Sequence, residues 1–132
     1  MSEIEILQQF KNSLISFLDE LIVQFDQEPD LVIFRIFLKD RVPIVDVMKY
    51  FMYKILPFKS MVNNRNEDFF LNHYSFMEDL QKDKEKKEKI NHFKKLWRSG
   101  NLDDEDKSIV WKWFDSFIFL TEKYQKSIQC NQ

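Results

Sequence analysis

The chain has no alanine, one glycine, one cysteine and three prolines among 132 residues. Each scarcity excludes something. A phosphate-cradling loop of the P-loop or dinucleotide type needs several closely spaced glycines, so that the backbone can approach the phosphates. Gly100 alone cannot build one. Cys130 has no second thiol to pair with, so no internal disulfide forms, and a single thiol fits a reducing compartment. A nucleophilic cysteine needs a sheltered, electropositive setting, which a tail position does not offer. His73 and His92 lie far apart, and no H-x-x-x-H or C-x-x-C spacing points to zinc. The start, Ser2-Glu3-Ile4-Glu5, is acidic where a secretory signal would be basic. Charge interrupts every apolar run well short of a membrane-spanning length.

Alanine is the best helix former. Its absence from a chain with helical periodicity therefore has an origin outside stability. The abundant Phe, Ile, Lys and Asn use AT-rich codons and the scarce Ala, Gly and Pro use GC-rich ones, which is a property of the genome and not of the fold.

What is present is globular in composition. Hydrophobic residues make up 44% and charged residues 32%, too much apolar surface for a disordered chain. Aromatic residues reach 16%, with 14 phenylalanines. Burying most of those rings, at about 150–250 Å² each, supplies a sizeable core. The length fits one domain, residues 1–132. A net charge of −2 argues against a dedicated nucleic-acid binder but leaves room for a local basic patch.

Periodicity places the helices. Ser2 to Phe25 carries Leu7, Phe10, Leu14, Phe17, Leu18, Leu21 and Phe25 at threes and fours, with a capping-box spacing between Ser2 and Glu5. Ile15 and Ile22 widen that stripe beyond a coiled-coil seam and favour packing inside a bundle. Pro29 can open a second helix. The run Leu31 to Leu38 is apolar on every side except Arg35, and its β-branched residues also suit a buried strand. No second strand-like segment exists to pair with it, so a buried helix is expected, with Arg35 needing a carboxylate, a carbonyl or an opening to solvent. A third helix follows Pro43, with Ile44, Val47, Met48, Phe51 and Ile55 as its core stripe, and Pro57 should kink or end it. Asn63 to Asn66 reads as a loop, with Asn66 capping a short turn from Glu67. Ser75 and Glu78 repeat the capping-box spacing. Residues 82–89, KDKEKKEK, read as a solvated helical extension docked further on by Ile90, Phe93 and Trp97.

Gly100 suits the left-handed end of that helix. Asp103 or Asn101 can cap the next one, and Asp103 to Asp106 crowd its first turn, where the helix dipole favours carboxylates. A calcium loop would need alternating oxygen ligands and a central glycine, which this cluster lacks. The pattern as a whole predicts an all-α fold, a compact single-domain bundle of about five to six helices.

The final helix holds the candidate site. Ile109, Val110, Trp113, Phe114, Phe117, Leu120, Tyr124 and Ile128 share a broad face, taken as the core face. Trp111, Ile118 and Phe119 fall outside it, beside Lys112, Asp115 and Glu122. Either another helix covers them or they form an exposed patch that binds a protein partner, with a second copy of the chain one candidate. Nucleic acid is the alternative partner, through Lys94, Lys95 and Arg98 interleaved with His92 and Trp97, residue types that serve phosphate contacts and base stacking. No residue constellation raises acid–base catalysis above background. No enzyme activity, cofactor, metal or membrane association is expected.

Two segments, RNEDFF at Arg65 to Phe70 and HFKKLWRSGNLDDEDKSIVWKWFDSFIFLTEKY at His92 to Tyr124, resemble an uncharacterised small protein family of nucleocytoplasmic large DNA viruses, the giant viruses. The likeness covers the C-terminal half well and the first half loosely. It carries no catalytic residue. It implies a viral protein acting in the host cytoplasm or viral factory, or packed in the virion, and working through protein contacts or in viral transcription and genome handling.

Overall fold

A computed structural model describes residues 2–72, 95, 97, 98 and 102–130. Helix α1 spans Glu3–Gln24. The capping expectation holds: Ser2 Oγ accepts from the Glu5 N–H at 3.2 Å. Ile6, Phe10, Leu14 and Leu18 are buried at strict four-residue spacing, one stripe of the cylinder. Helix α2 spans Pro29–Asp40, with Pro29 in the first turn, where its missing N–H costs nothing. The helix reading of Leu31 to Leu38 is therefore correct, and no strand occurs among the described residues. Its predicted burial is not: only Leu38 is buried. Helix α1 packs against α2 and covers its inner side. Arg35 finds its carboxylate there, donating from Nε to Asp19 Oδ1 at 2.5 Å and from Nη2 to Asp19 Oδ2 at 3.5 Å.

Pro43 stands at the N-cap position of α3, Ile44–Tyr50, without a side-chain capping bond, and α3 also packs against α1. Pro57 neither ends the winding nor leaves it regular. The coil loosens to a π-turn over Phe51–Ile55, with the Leu56 N–H reaching Phe51 O, then tightens to a 3₁₀ turn over Leu56–Phe58. A proline ring would press on the carbonyl four residues back in a regular helix and has no N–H to give it. Helix α4, Lys59–Asn63, follows.

Arg65 then takes the left-handed conformation, φ 53°. Its N–H bonds Val62 O and the Asn66 N–H bonds Met61 O, both at 3.0 Å, which is the Schellman closure. Glycine usually fills this position. Here the Arg65 guanidinium adds a bond from Nη1 to Val62 O at 3.0 Å. Asn66 both closes that motif and caps α5, Glu67–Asn72, its Oδ1 accepting from the Phe69 N–H at 3.0 Å.

Helix α6 spans Asp104–Cys130. Asp103 is its cap: Oδ1 accepts from the Asp106 N–H at 2.8 Å, and Asp106 Oδ2 accepts from the Asp103 N–H at 3.4 Å. The acidic cluster is thus reciprocal capping chemistry. The expected turn at Gly100, a cap at Asn101, the Ser75–Glu78 box, the solvated extension at 82–89 and the docking residues Ile90 and Phe93 lie outside the described residues.

The chain groups into two compact units. One comprises Met1–Pro57 with Asp115–Gln132, the other Phe58–Phe114, so α6 contributes to both. In the first, Phe10, Phe51 and Phe117 meet edge to face, with ring centroids 5.2, 5.9 and 6.0 Å apart, and Phe17 adds a fourth ring at 5.6 Å from Phe117. Each such pair contributes about 0.5–1.5 kcal/mol beyond the area it buries. Burial, and next the charge of Glu3, hold the Tyr124 phenol above its usual pKa. In the second unit, Trp111 is surrounded by Phe70, Trp97 and Phe114 at 5.8, 6.0 and 6.4 Å.

Candidate docking surface

The proposed partner residues of α6 do not share one exposed face. Trp111 is 8% exposed and Ile118 4%, whereas Phe119 is 57% exposed. The correction has a geometric cause. The buried residues of α6 are Val110, Trp111, Phe117, Ile118, Leu120, Thr121 and Tyr124. Their mean direction is turned by about 40° from the face read off the sequence, at 100° per residue. Thr121 lies close to the centre of that stripe and was invisible to a search for apolar residues. Its hydroxyl donates to Phe117 O at 2.7 Å, one helical turn back, and so is satisfied inside the helix. Conversely Ile109, assigned to the core, is exposed.

Trp111 has a structural task in its own unit. The Arg65 guanidinium lies 5.8 Å from its ring centroid, and Lys107 Nζ lies 5.5 Å from that of Trp97. Glu67 links the set, accepting from Trp97 Nε1–H and, at 3.3 Å, from Lys107 Nζ. These contacts tie α5 to the start of α6 and leave Trp111 no face for a partner. Phe119 alone of the three stays outward, with Lys123 Nζ 4.6 Å from its ring centroid.

The basic candidates are divided. Lys94 lies outside the described residues. Lys95 and Arg98 are exposed. Arg98 lines an open groove with Asn64, Arg65, Asn66, Glu67 and Asp68. Two guanidiniums there face two carboxylates, so the groove carries no net positive field to gather phosphates. Among the described residues, no three His, Cys, Asp or Glu side chains gather as a metal site would require, and no helix is long and apolar enough to cross a membrane.

Among the described residues, exposed large apolar side chains gather most densely elsewhere, on α2. Val32, Ile33, Phe34, Ile36 and Phe37 are consecutive or nearly so, and each is 43 to 63% exposed. Leu31, Arg35 and Leu38 form the inner side of that helix, at 4-3 spacing. The outer side presents two phenylalanines and two isoleucines to solvent. A helix apolar all round is normally covered all round. The sequence carries that signal; in the structure α1 packs on the inner side of α2 while these five residues stay exposed.

No protein-family model, no curated protein and no solved structure matches the chain.

Proposed function

We propose that the chain is a non-enzymatic protein–protein interaction module that docks through the outer side of α2. The carrying observation is the cluster Val32, Ile33, Phe34, Ile36 and Phe37, left open to solvent on one short helix. Half-exposed side chains of this size sum to a patch on the order of 400 Å², and apolar patches of that size on a protein surface mark interaction sites. Burying a Phe or Ile ordinarily gains about 1.5–3 kcal/mol, a gain this helix leaves uncollected until a partner covers it. A helix that lays apolar residues into a partner is a recurrent mode of recognition. Given the resemblance of the RNEDFF and C-terminal segments to giant-virus proteins, the setting of that docking is the infected cell, in the host cytoplasm or viral factory or in the assembled virion.

A photo-activatable amino acid replacing Ile33 tests this directly. Irradiation in the source cells should yield a covalent adduct with a protein, and the same probe at Lys112, on the exposed outer side of α6, should not. Equal adduct formation from both positions, or none from either, would remove α2 as the docking surface.

A further inference from the structure

We infer that the occupant of the α2 face is a second copy of the same helix, paired antiparallel about a two-fold axis; this rests on the reading of α2 as a docking face. The ground is the order of residues along its outer side. Asp30, Phe34, Phe37 and Arg41 follow at spacings of four, three and four, so they fall on one stripe of the helix. All four are exposed. The stripe reads acid, aromatic, aromatic, base. Turned end over end, it is complementary to itself: Asp30 meets the Arg41 of the second copy, Phe34 meets its Phe37, and the two-fold axis repeats both pairs.

Parallel pairing would set Asp30 on Asp30 and Arg41 on Arg41, with the helix dipoles aligned as well. Both effects disfavour it. The antiparallel arrangement opposes the dipoles and brings unlike charges together at each end. Ile33 borders the stripe and widens the apolar centre, with Ile36 beyond it on the same exposed side. The area is modest. One short helix supplies less than the roughly 800 Å² that a standard interface takes from each partner. The dimer is therefore weak, with a dissociation constant in the micromolar range, and exchanges readily.

Sedimentation velocity of the full chain over a concentration series tests the pairing. Wild type should pass from monomer to dimer. Asp30→Arg alone and Arg41→Asp alone should each weaken association by roughly tenfold, because each places like charges at both ends. The double swap D30R/R41D should recover it. So should an equimolar mixture of the two single variants, and mixing cannot rescue a chain that has failed to fold. Wild type that stays monomeric throughout would overturn the second-copy inference. A cross-link from position 33 to a different protein would in that case preserve α2 as a docking face. A dimer indifferent to all four charge patterns, or variants that fail alone, in combination and in mixture, would overturn the antiparallel register.

Discussion

Phe117 and Phe119 are two positions apart on one helix and have opposite fates. Phe117 is 1% exposed and meets three other rings, while Phe119 lies open with only a lysine ammonium over its face. Phe117→Ala should cost about 3–5 kcal/mol, the usual range for emptying a buried aromatic site. Phe119→Ala removes an exposed ring and a cation–π contact of about 0.5–1 kcal/mol, so its cost should stay near that figure. Urea titrations of the two variants check the contrast, and equal losses would mean that Phe119 is covered. At this scale the sequence was legible where a residue stood alone with its chemistry. Arg35 called for a carboxylate, a carbonyl or an opening to solvent, and has the Asp19 carboxylate. It was illegible where burial depended on which neighbour arrived. Trp111 and Ile118 sit near charged residues in sequence and are buried in the fold, Trp111 among three other rings.

Among the elements, the clearest signals were caps. Ser2, Asn66 and Asp103 each hold the helix start that their spacing foretold. These motifs are read within four residues and need no tertiary partner. Asp103→Ala should lower stability by about 0.5–2 kcal/mol, while Asp103→Asn, which keeps an acceptor at the same place, should retain most of it. Equal loss from both, read by thermal unfolding, would show that the charge rather than the hydrogen bond holds the start of α6. Faces were harder to read than ends. The stripe of α6 lies elsewhere than its apolar spacing suggests because Trp111 and Ile118, read as outer residues, are buried, while Ile109, read as core, is exposed. The π-turn at Phe51–Ile55 is a second case. Pro57 announces a disturbance, and the chain absorbs it by changing pitch instead of stopping.

Taken whole, the molecule followed its periodicity: helices, and no strand among the described residues. The exposed face of α2 did not follow, although its residues belong to a run apolar on every side except Arg35. Periodicity reports that a helix needs cover on several sides, and it is silent on whether the cover comes from the same chain. The buried stripe of α6 is covered within the chain, whereas on α2 the side that meets α1 is covered and Val32, Ile33, Phe34, Ile36 and Phe37 stay exposed. The proposed pairing therefore rests on α2 as the face where a second copy of the chain docks. Amide chemical shifts recorded over a dilution series of the wild-type protein test that without altering a residue. Concentration-dependent shifts confined to residues 29–41 and their immediate neighbours on α1 are the predicted result. Shifts centred instead on α6 around Phe119, or no change at any concentration, would contradict it.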